Sequence, residues 1–430
     1  MKRLITLNSL LLAFISLASL VYFLGLPKVP FHPDEATYIY MSDDLSTLFK
    51  NPAQMIWQPG TETDLSMHYR LIDAPLTRYL VGIFRSAFNV APLKSDWNWG
   101  LSWEQNIQNG NMPTRQQLLI SRFSTAIFFP FCLLLIFLLG RQLGGLGAGW
   151  VSLVVFAGNA LILLHTRRAM AEGPLVFFIL LSLWFILRFP NQAWWSAFPL
   201  ALAFNAKYSP APLVLVGLVA ILVSSRPRKW FEVLEELGLF TLIFLLVTFV
   251  LNPFLWADPI GAVLTGLAQR QELVAGQVSA IIAVRPDLAL PHWWERLQVQ
   301  VVQLFFAPLA IQDVGNYTLE LQAASTAYLS NPLHSLLRSI PGGAILLFLS
   351  LIGLGRNLLL SIRSNPTRKT HILFLLAAAV QWLGLILLVP LPFQRYVMPL
   401  VPFVCLWIGL ALAGLIKIIG MIRKKQKPTA

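Results

Sequence analysis

Residues Leu4–Ala36 read LITLNSLLLAFISLASLVYFLGLPKVPFHPDEA, and this stretch decides what kind of molecule the chain is. From Leu4 to Leu26 it is an apolar run behind Lys2-Arg3, long enough as a helix to cross a hydrocarbon layer about 30 Å thick. A secretory leader would have an apolar core of only about 7–15 residues before a small-residue cleavage site, so the run is expected to be retained as a span with its N-terminus cytoplasmic. His32-Pro33-Asp34-Glu35 follows at once, placing carboxylates at the membrane edge, where an ionisable side chain is costly and is a candidate for function. The same four residues suit a helix N-terminus, with Pro33 in the first turn and two acids facing the dipole.

The rest of the chain has the same character. Of 430 residues, 57% are hydrophobic and only 12% charged, against about a quarter charged in soluble domains. That excludes a soluble globular enzyme, a disordered chain, collagen and a disulfide scaffold. Both cysteines, Cys132 and Cys405, lie inside apolar runs and read as small core residues. Further spans are expected at 119–139, 145–164, 174–188, 194–206, 209–224, 233–252, 342–362, 372–390 and 397–419. The expected fold is therefore all-α and integral to the membrane, a single domain over 1–430 with about ten transmembrane helices. Two of these are short, broken apart at Lys207-Tyr208-Ser209-Pro210. Two long polar stretches, 27–117 and 253–340, are expected to lie outside and to contain helices at the membrane surface. An apolar segment from Val299 to Ile311 within the second is too short to span.

The formal net charge is +13. No nucleic-acid-binding motif accompanies it. The basic residues Lys2-Arg3, Arg141, Arg188, Arg226 to Lys229, Arg363, Arg368-Lys369 and Arg423 to Lys427 instead flank spans on one side, as cytoplasmic loops do. An even number of spans puts both termini on that side. Arg167-Arg168 then falls outside, against the charge bias, and needs a reason of its own.

Polar residues gather at the outer edge in four places. Beside His32 to Glu35 there is Arg167-Arg168-Ala-Met-Ala-Glu172-Gly-Pro174, in which Glu172 opens a span. Gln394-Arg395-Tyr396 precedes the last span; a guanidinium there snorkels or binds a phosphate. His68-Tyr69-Arg70-Leu-Ile-Asp73-Ala-Pro75-Leu-Thr-Arg78 lies within the first outer stretch. Lys207, at the broken hairpin, offers another cation. Cations bind a leaving phosphate, and a carboxylate takes a proton from an attacking hydroxyl. The tryptophans of the outer stretches suit an aromatic belt, and ring stacking on a sugar is the lesser alternative. Asn316-Tyr317-Thr318 is a glycosylation sequon. His32, His68, His165, His292, His334 and His371 are scattered and indicate no zinc site.

In this order the motifs resemble the GT-C class of membrane glycosyltransferases, the group that includes protein O-mannosyltransferases and the bacterial lipid A aminoarabinose transferase. The resemblance rests on Asp34-Glu35 opening the first outer loop, Asp73-Ala74-Pro75-Leu76, Glu172 opening a span, Ala206-Lys207 at a short span, and Arg395-Tyr396-Val-Met-Pro399 before a late span. It departs at Asp73-Ala74, where the family has a Lys or His before its prolines. By resemblance, a sugar passes from a polyprenyl-phosphate donor to a hydroxyl acceptor at the outer face of the membrane, with inversion. Asp34 is then the general base, Glu35 positions the acceptor or structures the loop, and Glu172 helps to hold sugar or acceptor. Arg395, Lys207 and Arg168, with Arg70 or Arg78, bind the donor phosphate, and His32, Asp73 and Tyr396 line the substrate site. A divalent cation held by Asp34, Glu35 and Glu172 is an open alternative. No other cofactor is implied, and the partners are the lipid-linked donor, a protein, lipid or glycan acceptor and membrane lipid. A flippase for a polyprenyl-linked lipid, or a non-catalytic relative that binds the carrier, are the rivals; both would use the same cations without a base.

Overall fold

The computed structural model describes residues 2–223, 229–313, 316–363 and 366–425. Arg226, Arg228 and Lys427 of the basic clusters lie outside the described residues, as do the side chains of Lys2, Arg3 and Arg423 to Lys425. Every regular element among the described residues is helical.

Six segments are long and apolar enough to cross a membrane: Asn8–Lys28, Arg115–Gly144, Trp230–Leu251, Ile340–Ile362, Arg368–Leu388 and Gln394–Ile419. This fits an integral, multi-pass membrane protein. The other four expected spans form shorter helices. The run at 145–164 is two helices, Leu146–Ala157 and Ala160–His165: the first ends at Gly158, and Asn159 caps the second, its side chain accepting from the Leu161 and Ile162 amides. Glu172–Arg188 has 17 residues, and Ala197–Ala206 and Leu213–Leu222 have 10 each. At 1.5 Å per residue, ten residues reach about 15 Å, half the hydrocarbon thickness.

The short helices are kept inside the bundle. Glu172–Arg188 packs against Phe129–Gly144 on one side and Ala197–Ala206 on the other. The last helix, Val401–Lys425, is the axis, packed between Leu146–Ala157 and Ile340–Ile362. Trp230–Leu251 is peripheral, with Leu242, Leu245, Leu246 and Val250 exposed, as a lipid-facing surface requires. Gly145 (φ +83°) turns the chain between Phe129–Gly144 and Leu146–Ala157, a left-handed conformation that glycine adopts at no steric cost.

The two polar stretches meet on one side of the bundle. The first folds into Pro33–Met41, Asp44–Lys50, Leu65–Ile72, Leu76–Ala87 and Trp103–Gln108. The second contains Pro259–Val284, Trp293–Val301 and Gln322–Leu329. Pro259–Val284 packs on Leu65–Ile72. Tyr317 of the second stretch packs among Trp97, Trp99 and Trp103 of the first, and its hydroxyl donates to the Leu101 carbonyl at 2.9 Å.

Candidate active site

The helix Pro33–Met41 explains why Asp34 and Glu35 have different surroundings. His32 caps it: the ring Nδ1 accepts from the Asp34 amide (3.2 Å), while Glu35 Oε2 accepts from the His32 amide (3.0 Å), a reciprocal capping box with Pro33 in the first turn. Adjacent helical residues point about 100° apart. Glu35, with Ile39, turns inward and is 0% exposed. Its carboxylate receives Arg122 through Nε and Nη2, both at 2.8 Å, and the Ala169 amide at 2.9 Å. Arg122 also donates to the Leu26 and Val29 carbonyls. Glu35 thus fastens the first outer stretch to the bundle. Burial alone would raise its carboxyl, but Arg122 overcomes that and holds it below the usual range.

Asp34 faces the other way and stays 26% exposed. It is paired with Arg395, whose Nε also meets Asp313 Oδ2 at 2.7 Å. His32 Nε2 lies 3.3 Å from the same Asp313 oxygen. Since His32 Nδ1 accepts a backbone proton, the ring hydrogen sits on Nε2, the nitrogen that faces Asp313. Burial would raise the Asp34 and Asp313 carboxyls, but Arg395 and then His32 hold Asp34 low, and Arg395 together with His32 holds Asp313 far lower. Both are ionised at neutral pH. The Arg395 segment is pinned by Gln394, which donates to Gln303 Oε1 and the Pro308 carbonyl and accepts from the Ala310 amide.

Alongside this group, Lys207 Nζ donates to Glu172 Oε1 at 2.8 Å and lies 4.7 Å from the centre of the Tyr396 ring. Tyr38, one turn after Asp34 on the same helix face, lies within electrostatic reach of Asp34, Asp73 and Glu172; burial first, and then these acids, push its phenol upward. The structure therefore brings together His32, Asp34, Glu172, Lys207, Arg395 and Tyr396 from four separate parts of the chain. It adds Asp313 and Tyr38, which the sequence reasoning missed. Asp313 stands just beyond the apolar segment ending at Ile311, the same membrane-edge signal that singled out Asp34.

The remaining candidates are engaged elsewhere. Arg70 Nη2 and Arg78 Nε bind opposite oxygens of the buried Asp44, at 2.6 and 3.2 Å. Arg168 is 1% exposed and donates to the Ile311 carbonyl at 2.5 Å. Asp73 is half-exposed, 3.5 Å from Arg270 of the Pro259–Val284 helix. Asp34, Glu35 and Glu172 each have a cation of their own and do not converge. Among the described residues no group of three His, Cys, Asp or Glu side chains is disposed to hold a metal ion, so a shared divalent cation does not fit these acids as they stand. One more acid sits nearby: Asp96, buried, accepts from the Tyr69 hydroxyl at 2.5 Å, and burial pushes its carboxyl up to about 6.

No protein-family model matches the sequence, and no curated protein matches it. Solved structures do. The oligosaccharyltransferase of Archaeoglobus fulgidus in its apo form aligns with a TM-score of 0.52 at 13% identity, covering 97% of this chain and 52% of that one. The archaeal oligosaccharyltransferase AglB from the same organism, in complex with an inhibitory peptide and a dolichol-phosphate, aligns with a TM-score of 0.51 at 12% identity and the same coverage. The S. cerevisiae protein O-mannosyltransferase Pmt1-Pmt2 complex bound to the sugar donor is a looser match, with a TM-score of 0.41 at 17% identity over 59% of this chain and 34% of that one. The chain spans about half the length of the oligosaccharyltransferases it matches. Over 97% of its length, this chain shares its fold with the Archaeoglobus fulgidus oligosaccharyltransferase.

Proposed function

We propose that the protein transfers a sugar from a polyprenyl-phosphate donor to a hydroxyl acceptor, with inversion, at the outer face of the membrane. The observation that carries this is the pairing of an ionised, part-exposed acid, Asp34, with Arg395, beside a second acid–cation pair, Glu172 and Lys207. Asp34 takes the proton of the acceptor hydroxyl. The acceptor oxygen bonds to the sugar's anomeric carbon as the bond from that carbon to the phosphate oxygen breaks, and its electrons leave with the phosphate. Arg395 and Lys207 stabilise that phosphate. Arg395 has a double task in this scheme. Before the donor binds it neutralises Asp34 and Asp313; as it turns toward the phosphate, Asp34 loses its counter-ion and becomes a stronger base. Asp313 and His32 hold the guanidinium near both positions. Glu35 acts through structure, keeping the helix of Asp34 in place. Stretches 27–117 and 253–340 form the outer face and supply the acceptor site.

The test is mass spectrometry of purified protein incubated with polyprenyl-phosphate sugars and mixed acceptors. Wild type is expected to release free polyprenyl phosphate and a glycosylated acceptor. Asp34→Asn is expected to stay folded and to lose roughly 10²–10⁴-fold in rate, the span for a missing acid–base group. Turnover near that of wild type in Asp34→Asn would take the base role from Asp34. Intact donor throughout, with lipid carried along by both proteins, would favour a flippase or carrier-binding role instead.

A further inference from the structure

His165 has no role in the scheme above, yet its position is costly. The ring is 1% exposed, and neither nitrogen has a hydrogen-bond partner. A buried polar group left unpaired is unfavourable, and such a group in a native fold needs an explanation. His165 ends the short helix Ala160–His165, which packs against the Gln394–Leu400 turn that carries Arg395. The charges around it are Arg168, Glu172, Asp313 and Arg395. Each of these neighbours has a buried atom without a hydrogen bond; Asp313 Oδ2 and Arg395 Nε face each other in their ion pair, whereas Glu172 Oε2 and Arg168 Nε have no such partner. The same residues use their other atoms elsewhere: Glu172 Oε1 holds Lys207, and Arg168 Nη2 holds the Ile311 carbonyl.

The unused valences define a ligand. A neutral imidazole offers one donor and one acceptor; Glu172 Oε2 adds an acceptor and Arg168 Nε a donor. Phosphate oxygens only accept, so a phosphate would leave the imidazole lone pair and Glu172 Oε2 unfilled. Hydroxyl groups donate and accept at once. We propose that His165, with Glu172 and Arg168, forms a subsite for hydroxyl groups of the transferred sugar, apart from the phosphate contacts at Arg395 and Lys207. The proposal rests on the transferase reading and names the part of the site that recognises the sugar itself. His165 is then a specificity residue, and its unpaired nitrogens are the cost of holding the subsite ready.

Thermal melting of full-length protein in detergent tests this, with bare polyprenyl phosphate and a polyprenyl-phosphate hexose as probes. Without ligand, His165→Leu is expected to melt at or above wild type, because an apolar side chain of similar size relieves an unpaired polar group. Wild type is expected to be stabilised more by the hexose-bearing carrier than by the bare one. His165→Leu should keep the response to bare carrier and lose the extra response to the hexose, with transfer down roughly 10²–10³-fold, the effect of one missing transition-state hydrogen bond. His165→Gln, which retains a donor and an acceptor, should recover part of both. A ligand-free His165→Leu melting well below wild type would make the histidine structural and overturn the proposal. So would His165→Leu with the hexose increment intact. If wild type responds to neither carrier, the transferase reading fails, while the ligand-free melting order still decides whether His165 is an unpaired, replaceable group.

Discussion

Asp34 and Glu35 differ by one helical step, and that step gives one a solvent-facing ion pair and the other a buried clamp. The sequence marked both as out of place in a chain with so few charges. It could not assign their partners, because Arg122 lies 87 positions from Glu35 and Arg395 lies 361 from Asp34. The same limit explains Arg70 and Arg78, whose spacing suited a phosphate but whose partner, Asp44, is a buried acid 26 positions before Arg70. Asp96 carries a prediction at this scale. Its folded-state value of about 6 lies above the ordinary value for an unfolded aspartate, about 3.9. Between those values the folded protein holds a proton that the unfolded chain has released, so Asp96 costs stability progressively as pH rises from about 4 to 6 and uniformly above. Two units correspond to on the order of 3 kcal/mol. Asp96→Asn should therefore match wild type near pH 4 and exceed it at pH 7. Other groups titrate in this range too, such as His334, whose value burial lowers. For that reason the informative quantity is the melting difference between variant and wild type across pH 4–8; a difference independent of pH would refute the assignment.

At the scale of elements, several helix starts were legible in the sequence. The acidic, proline-led start at His32 to Glu35 was readable, and the structure adds the reciprocal bonds of His32. The outward Arg167 had no evident cause in sequence. In the fold its Nε donates to the Tyr22 carbonyl and its Nη1 meets His334 Nε2, each at 3.0 Å, so it satisfies the carboxyl end of the first helix. A charge there neutralises a helix dipole rather than reporting topology. Hydropathy records burial in either lipid or protein, and helices such as Glu172–Arg188 are buried in protein. What holds the central helix is close backbone approach. A Cβ on Gly353 would stand 1.9 Å from the Trp407 carbonyl oxygen, with backbone rather than a mobile side chain in the way. Gly353→Val should separate Ile340–Ile362 from Val401–Lys425, lowering stability by about 1–3 kcal/mol or more. The expected result is a lower melting temperature in detergent; an unchanged one would mean the two helices can move apart freely.

At the scale of the whole molecule, sidedness follows from contacts without counting spans. Tyr317 lies against Trp97, and Asp313 and Asp34 share Arg395, so the two outer stretches and the site occupy one side. The N-terminal end of Lys2–Leu24 is separated from that side by the length of one span. The last helix starts at the site, just after Arg395, and runs away from it for 25 residues. Both ends of the described chain therefore lie opposite the site, whatever the short helices between them do. The sequence reading likewise set both termini apart from the site; of the about ten spans it expected, six are long and apolar enough to cross a membrane among the described residues. On the bias of Lys2-Arg3 and the Arg423 to Lys427 cluster, we propose that the termini are cytoplasmic and the site lies on the outer face. A fluorescent protein fused after Ala430 should fold and fluoresce in the cytoplasm, whereas an alkaline phosphatase inserted at the exposed Gly110 turn (φ +75°) should be active only outside. Activity of both reporters on the same side would mean that the site and the last helix are not related as the Arg395 contacts require.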